Sequence, residues 1–98
     1  MYVSIGKSTR QGKKMMAIFY DHTKKKIKTT HFGQETASDY TLHNDLSRKM
    51  NYISRHKERE DWEDYMTAGA LSRWVLWNKP TLTESIKDYM NRFKLREY

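Results

Sequence analysis

The chain contains no cysteine, one proline (Pro80) and only four glycines in 98 residues. Without cysteine there is no disulfide and no thiolate metal centre, which fits a reducing compartment. No apolar run approaches the ~18 residues needed for a membrane-spanning helix. The opening residues Met1–Lys7 lack the apolar stretch of a secretory signal, so none is expected. Gly6 and Gly12 stand outside any phosphate-loop context, and no serine lies in a nucleophile elbow. RNP, zinc-finger, KH and basic-zipper motifs are missing too, which leaves base-specific readout without support. No internal repeat, low-complexity tract or interdomain linker divides the chain, and its length suits one domain over 1–98.

Aromatic residues, by contrast, are abundant: 3 Trp, 7 Tyr and 3 Phe, a composition unlike that of disordered chains. A chain this short buries only about 60–65% of its unfolded surface. Large rings, each burying roughly 150–250 Å², are an efficient way to build a sufficient core.

Charge is unevenly distributed. The net charge is +7, and residues 1–33 alone carry +7, from Lys7, Arg10, Lys13, Lys14, Lys24, Lys25, Lys26 and Lys28 against the single acid Asp21. Residues 34–66 carry −3 and residues 67–98 carry +3. A polyanionic partner would be steered to the N-terminal end.

The pattern of residues predicts an α+β fold: an N-terminal antiparallel β-hairpin or three-stranded sheet, then three or four α-helices. Residues 1–33 form the basic β region and residues 41–98 the helical region, with Gln34–Asp39 as the connecting loop. Met15–Tyr20 and Ile27–Phe32 read as the hairpin, joined by the polar segment Asp21–Lys26; Tyr2–Lys7 adds a strand across a Ser8–Gly12 turn. The turn lacks Asn-Gly or Asp-Gly, so a loop longer than two residues is expected. Leu46, Met50 and Ile53 recur at helical spacing and predict an amphipathic helix over about 44–57, capped by Asn44 or Thr41. Thr67 opens a second helix over Ala68–Trp77, which Pro80 stops. Thr81 and Glu84 form a capping box for a third, with Ile86, Tyr89, Met90 and Phe93 on one face.

The blocks His31–Gly33, Ser38–His43, Tyr52–His56 and Thr67–Leu82 together resemble a small uncharacterised family encoded mainly by large nucleocytoplasmic DNA viruses. The resemblance covers roughly residues 15–95, and Thr67–Trp74 with Leu76–Pro80 is its most specific part. It implies a viral source and a domain boundary, but no mechanism.

The residues themselves point first to phosphate. Lys24, Lys25 and Lys26 lie at one predicted turn, with Lys28 in the following strand, while Arg10, Lys13 and Lys14 lie at the other turn. A β-ribbon with cationic tips can track a nucleic-acid backbone, with strong salt dependence. The plainer alternative is a solvated surface, since lysines on turns and edges also prevent aggregation. In the helical block, Trp74 and Trp77 fall on nearly one face and read as core, whereas Arg73 and Lys79 read as exposed and available for phosphate. Arg73 has a second option, pairing with the acidic run Glu58, Glu60, Asp61, Glu63 and Asp64. That run reads as a solvated edge, or as a patch able to engage another copy's basic end. His31, Asn44 and His56 occur in the order of a His-Asn-His nuclease, but at loose spacing, and Zn or Mg would suit such ligands. The match is weak, and the favoured reading is structural hydrogen bonding for His31 and His56, with Asp45 suited to a helix N-terminus.

The expectation is therefore a non-enzymatic, basic nucleic-acid-binding protein, with DNA weighed above RNA and Arg10, Lys13, Lys14, Lys24, Lys25, Lys26, Lys28, Arg73 and Lys79 as its contacts. No catalytic residue, cofactor, metal or membrane partner is assigned. The alternatives are a virion structural or protein-interaction component, homo-oligomeric or bound to virion proteins, and a metal-dependent nuclease. The expected location is a reducing intracellular compartment of an infected cell, or the virion.

Overall fold

Short runs of strand-forming residues separated by polar turns mark the N-terminal segments, and the computed structural model, which describes residues 1–98, folds them into a sheet with two different faces. In β2 (Lys13–Tyr20), Met15, Ala17 and Phe19 are buried while Met16, Ile18 and Tyr20 are only half-buried. β2 pairs antiparallel with β1 (Tyr2–Lys7) and β3 (Lys26–Gln34), as expected. A fourth strand, β4 (Arg96–Glu97), lies parallel to Tyr2 and Val3, giving the order β3-β2-β1-β4. Two residues carry no periodicity, so β4 has no sequence signal.

The β2–β3 loop is longer than two residues, as the absence of a tight-turn dipeptide implies, and a bulge follows at Phe19/Tyr20. Near the end of β3, Gly33 has φ +77°, and a Cβ there would meet Leu76 Cδ1 at 2.8 Å. Only glycine fits that left-handed position against the helical layer.

The four helices follow in chain order. Asp39 caps α1 (Tyr40–His43) by accepting from the Thr41 amide, and Asn44, with φ 52°, ends it. Asp45 caps α2 (Leu46–His56) by accepting from the Arg48 amide at 3.2 Å. The expected caps Thr41 and Asn44 thus belong to a separate short helix. Thr67 caps α3 (Ala68–Leu71) as predicted. The chain then widens without a break into a π-helical turn over Ser72–Leu76, where the Trp77 amide reaches back to Ser72 O. Buried Asn78 takes up the Trp74 carbonyl at 3.1 Å and anchors to Asp88 at 2.7 Å, which accommodates the widened turn.

Thr81 caps α4 (Leu82–Arg92) by accepting from the Glu84 amide. The Glu84 carboxylate accepts from the Thr81 hydroxyl at 2.9 Å rather than from its amide, so only half of the predicted box forms. α4 ends in a Schellman turn: Lys94 has φ 54°, and the Leu95 amide donates to Met90 O at 2.8 Å. That turn delivers Arg96 and Glu97 to the edge of β1.

The core lies between one sheet face and the helices. Val3, Met15, Ala17, Phe19 and Phe32 meet Leu71, Trp74, Val75, Leu76, Tyr89 and Leu95. The polar tips of the buried rings are satisfied: Trp74 Nε1 donates to Trp62 O and the Tyr89 hydroxyl to Tyr65 O. The orientation of α2 differs from expectation. Leu46 and Met50 are 60% and 54% exposed, and the helix docks instead through Tyr52, stacked on Trp77 at 4.4 Å with the rings 2° apart. Lys49 adds a bond to Asn78 O at 2.6 Å. The α2 interface is thus aromatic and amphipathic, with the aliphatic stripe left outside.

Candidate nucleic-acid interface

The two basic turns leave opposite ends of β2. At a rise of about 3.4 Å per residue, Lys13 and Tyr20 are roughly 24 Å apart. The cations of the β region thus form two clusters rather than one tip.

The first cluster surrounds the Ser8–Gly12 turn. The Arg10 amide donates to Ser8 Oγ at 3.0 Å and the Gly12 amide to Glu35 at 3.1 Å, which fixes the loop. Lys7, Arg10 and Lys13 are exposed around a wholly polar hollow and form no ion pair. Lys14, expected among the contacts, is not available. Its ammonium group bonds Asp39 Oδ2 at 2.5 Å and Ala37 O at 2.6 Å, and the Asp39 side chain is only 2% exposed. Lys14 neutralises a buried carboxylate and ties the sheet to α1.

The second cluster surrounds the Asp21–Lys25 turn. Asp21 Oδ1 accepts from the Thr23 hydroxyl at 2.6 Å and from the Thr23 and Lys25 amides at 2.9 and 3.0 Å. The Thr23 hydroxyl first, then the Lys25 amide, hold this carboxyl below its ordinary 3.8. Lys24 takes a left-handed conformation, φ 66°, and places its ammonium group 5.1 Å from the Tyr2 ring centre and 5.8 Å from that of Tyr98. Lys25, Lys26 and Lys28 are exposed and unpaired.

Between the clusters lies the sheet face turned away from the helices, with Tyr2, Ser4 and Gly6 beside Met16, Ile18 and Tyr20, then Thr29 and His31. The Ser8–Gly12 turn leans onto it: Ser8 Oγ lies 2.7 Å from His31 Nδ1, and the Thr9 hydroxyl donates to Met16 Sδ. At the far end Tyr98 stacks on Tyr20 with ring centres 3.6 Å apart. Arg96, opposite Tyr2 in the parallel pair, sits at the edge of this face. β1, β2 and β3 contain no acidic residue.

The helical cations separate. Lys79 is exposed, as expected. Arg73 is not free: its guanidinium lies 4.3 Å from the Trp74 ring centre and 5.4 Å from that of Trp62, and Nη1 donates to Trp77 O at 2.8 Å. Burial, opposed by the nearby Tyr52, lowers its pKa from the ordinary value. It makes no pair with the acidic run. Lys49, shifted down by burial and then by the charges of Arg73 and Lys79, borders the same region.

His31, Asn44 and His56 have separate partners. His31 meets Ser8, Asn44 donates to Tyr40 O and Pro80 O, and His56 stacks on Tyr52 beside Glu60. No three His, Asp or Glu side chains converge as metal ligands would. Within the acidic run, Glu60 accepts from Trp62 Nε1 and Asp61 from the Glu63 amide, while Glu58, Glu63 and Asp64 face solvent. No helix is long and apolar enough to cross a membrane.

The structure adds Tyr2, Tyr20, Tyr98, Arg96 and Lys7 to the candidate surface. Tyr2 carried a period-two signal, in Tyr2-Val3-Ser4-Ile5-Gly6, that could have found it, whereas Tyr20 ends a continuous apolar run and Tyr98 and Arg96 depend on the Schellman turn.

The model of a family of unknown function (DUF5754) matches residues 3–56, from β1 to the end of α2. No curated protein and no solved structure matches the chain.

Proposed function

The chain belongs to the family of unknown function (DUF5754), and we propose that it is a non-enzymatic nucleic-acid-binding protein that grips the phosphate backbone with little sequence preference, DNA before RNA. The observation that carries this reading is the electrostatic character of the sheet. Three strands hold five lysines and no acid. The turns at both ends add Arg10, Lys24 and Lys25, and only Lys14 among these cations is paired with an acid. Cations left unpaired near one another repel, and counterion release on meeting phosphate rewards that arrangement. The contacts in this reading are Arg10, Lys13, Lys24, Lys25, Lys26, Lys28 and the more distant Lys79. Lys14 and Arg73 leave the set because each is spent inside the fold.

The test is binding to generic DNA at low salt, compared between the parent chain, a Lys13→Gln/Lys25→Gln/Lys26→Gln triple variant and Lys14→Gln. The triple variant loses most of the affinity and Lys14→Gln loses little. Equal affinity in the parent and the triple variant defeats the reading.

A second reading, a virion structural or protein-interaction component, has one specific observation in its favour. Leu46 and Met50 lie one turn apart on α2 and are 60% and 54% exposed, and Leu42 on α1 is 67% exposed. Large exposed apolar groups suit a protein partner. The viral source implied by the resemblance belongs here as a further proposal, tested by looking for the chain in purified virions.

A further inference from the structure

The open sheet face distinguishes between kinds of nucleic acid. A rigid duplex presents phosphates on its outside and keeps its bases stacked on one another, so it can use a cation but not an aromatic ring. Single strands use both: bases stack on aromatic side chains while a basic groove follows the backbone. The face described above has both components in one surface. Tyr98 is 54% exposed although Tyr20 already covers it at 3.6 Å, so it ends a short stack that a planar base would extend. Lys24 is held over Tyr2 and Tyr98 by its left-handed backbone, which puts a positive charge beside that stack. Arg96 lies beside Tyr2 on the same face, whereas Glu97, opposite Val3, takes the other side of β4. At the other end the Ser8–Gly12 turn bends onto this face through Ser8 and Thr9, and the exposed Arg10 follows in the same turn. The intervening stretch of Met16, Ile18 and Gly6 is apolar and uncharged. An antiparallel sheet that turns one face to water ordinarily lines that face with polar residues.

We infer that this open face is a binding platform for single-stranded nucleic acid, with bases stacked on the Tyr98–Tyr20 pair and phosphates held by Lys24 and Arg96 at one end and Arg10 at the other. The inference rests on the nucleic-acid reading above and adds to it the class of ligand and the face it occupies. The roughly 24 Å between the clusters accommodates a strand of a few nucleotides, near the lower end of the about 4–16 nucleotides known for comparable sheet-based sites.

The experiment measures fluorescence anisotropy of a labelled oligothymidylate and of a mixed-sequence duplex of equal length, at matched low salt. The proteins are the full chain, Tyr98→Ala, Tyr98→Phe and Lys24→Gln/Arg96→Gln. The parent binds the single strand at least tenfold more tightly than the duplex. Tyr98→Ala weakens single-strand binding by about 5- to 150-fold, the effect of losing one base–aromatic stack, with its salt dependence unchanged. Tyr98→Phe keeps the affinity, because the ring and not the hydroxyl stacks. Lys24→Gln/Arg96→Gln weakens single-strand binding and reduces its salt dependence. Duplex bound as tightly as the single strand, with Tyr98→Ala without effect, overturns the inference while leaving backbone binding intact. Binding of neither ligand at low salt overturns both.

Discussion

The Lys14 ammonium group lies 2.5 Å from Asp39 Oδ2, joining the second strand to the cap of the first helix. Asp39 also accepts from the amide and hydroxyl of Thr41, so one buried carboxylate satisfies three donors. Removing it leaves Lys14 without its counter-charge and α1 without its cap. Asp39→Ala is expected to cost about 3 kcal/mol, combining loss of a largely buried pair with loss of a helix cap. Urea denaturation measures this. A change under about 0.5 kcal/mol would show that the pair holds nothing together.

Arg73 follows the same logic on the helical side. It lies near Trp62 and Trp74 and bonds Trp77 O, and Arg92 packs over Trp74 from 3.8 Å. Arg73→Ala therefore lowers stability by about 2 kcal/mol through lost cation–π contact and a lost carbonyl bond. DNA affinity stays within a factor of two of the parent. A stable variant with much weakened binding would return Arg73 to the interface.

The two sides of α2 make opposite predictions. Tyr52→Ala costs about 3 kcal/mol, because it removes a buried ring stacked on Trp77. Leu46→Ser and Met50→Ser each change stability by less than about 0.5 kcal/mol, as substitutions outside the core do. Thermal unfolding of the three variants decides between this orientation and one with the aliphatic stripe inward.

That contrast shows what the residues alone convey. The sheet was legible because Met15–Tyr20 is a short apolar run of strand formers and Ile27–Phe32 is β-branched, with a polar turn-like segment between them. Thr67 and Thr81 were legible as caps because a hydroxyl just before a helical pattern has one local use. The face of α2 was not, because Leu46 and Met50 outrank Tyr52 in hydrophobicity while Trp77, the partner that decides the matter, lies 25 positions away. The same limit applies to the candidate surface. Lysine counting located its cations, but Lys14 and Arg73 were removed from it by Asp39 and by the Trp62 and Trp74 rings, contacts between residues distant or unremarkable in sequence.

The Asp21 turn carries a pH dependence. Its carboxylate is held below the ordinary 3.8 by donors that exist only in the folded turn, Thr23 first and Lys25 next. The folded turn thus prefers the charged form. Its stabilisation is complete above pH 3.8 and disappears as pH falls through the lowered value. Amide exchange at Thr23 and Lys25, read against a β1–β2 amide, is expected to accelerate selectively in that acidic range. Asp21→Ala shows the fast exchange at every pH; protection unchanged by either would contradict the role of Asp21.

The salt dependence of DNA binding tests the central claim most directly. With about three phosphates neutralised, by Arg10, Lys24 and Arg96, log K for a single strand falls linearly with log salt at a slope near −2. Lys24→Gln/Arg96→Gln brings the slope toward about −0.7. A slope near zero, or no binding at low salt, would contradict the account.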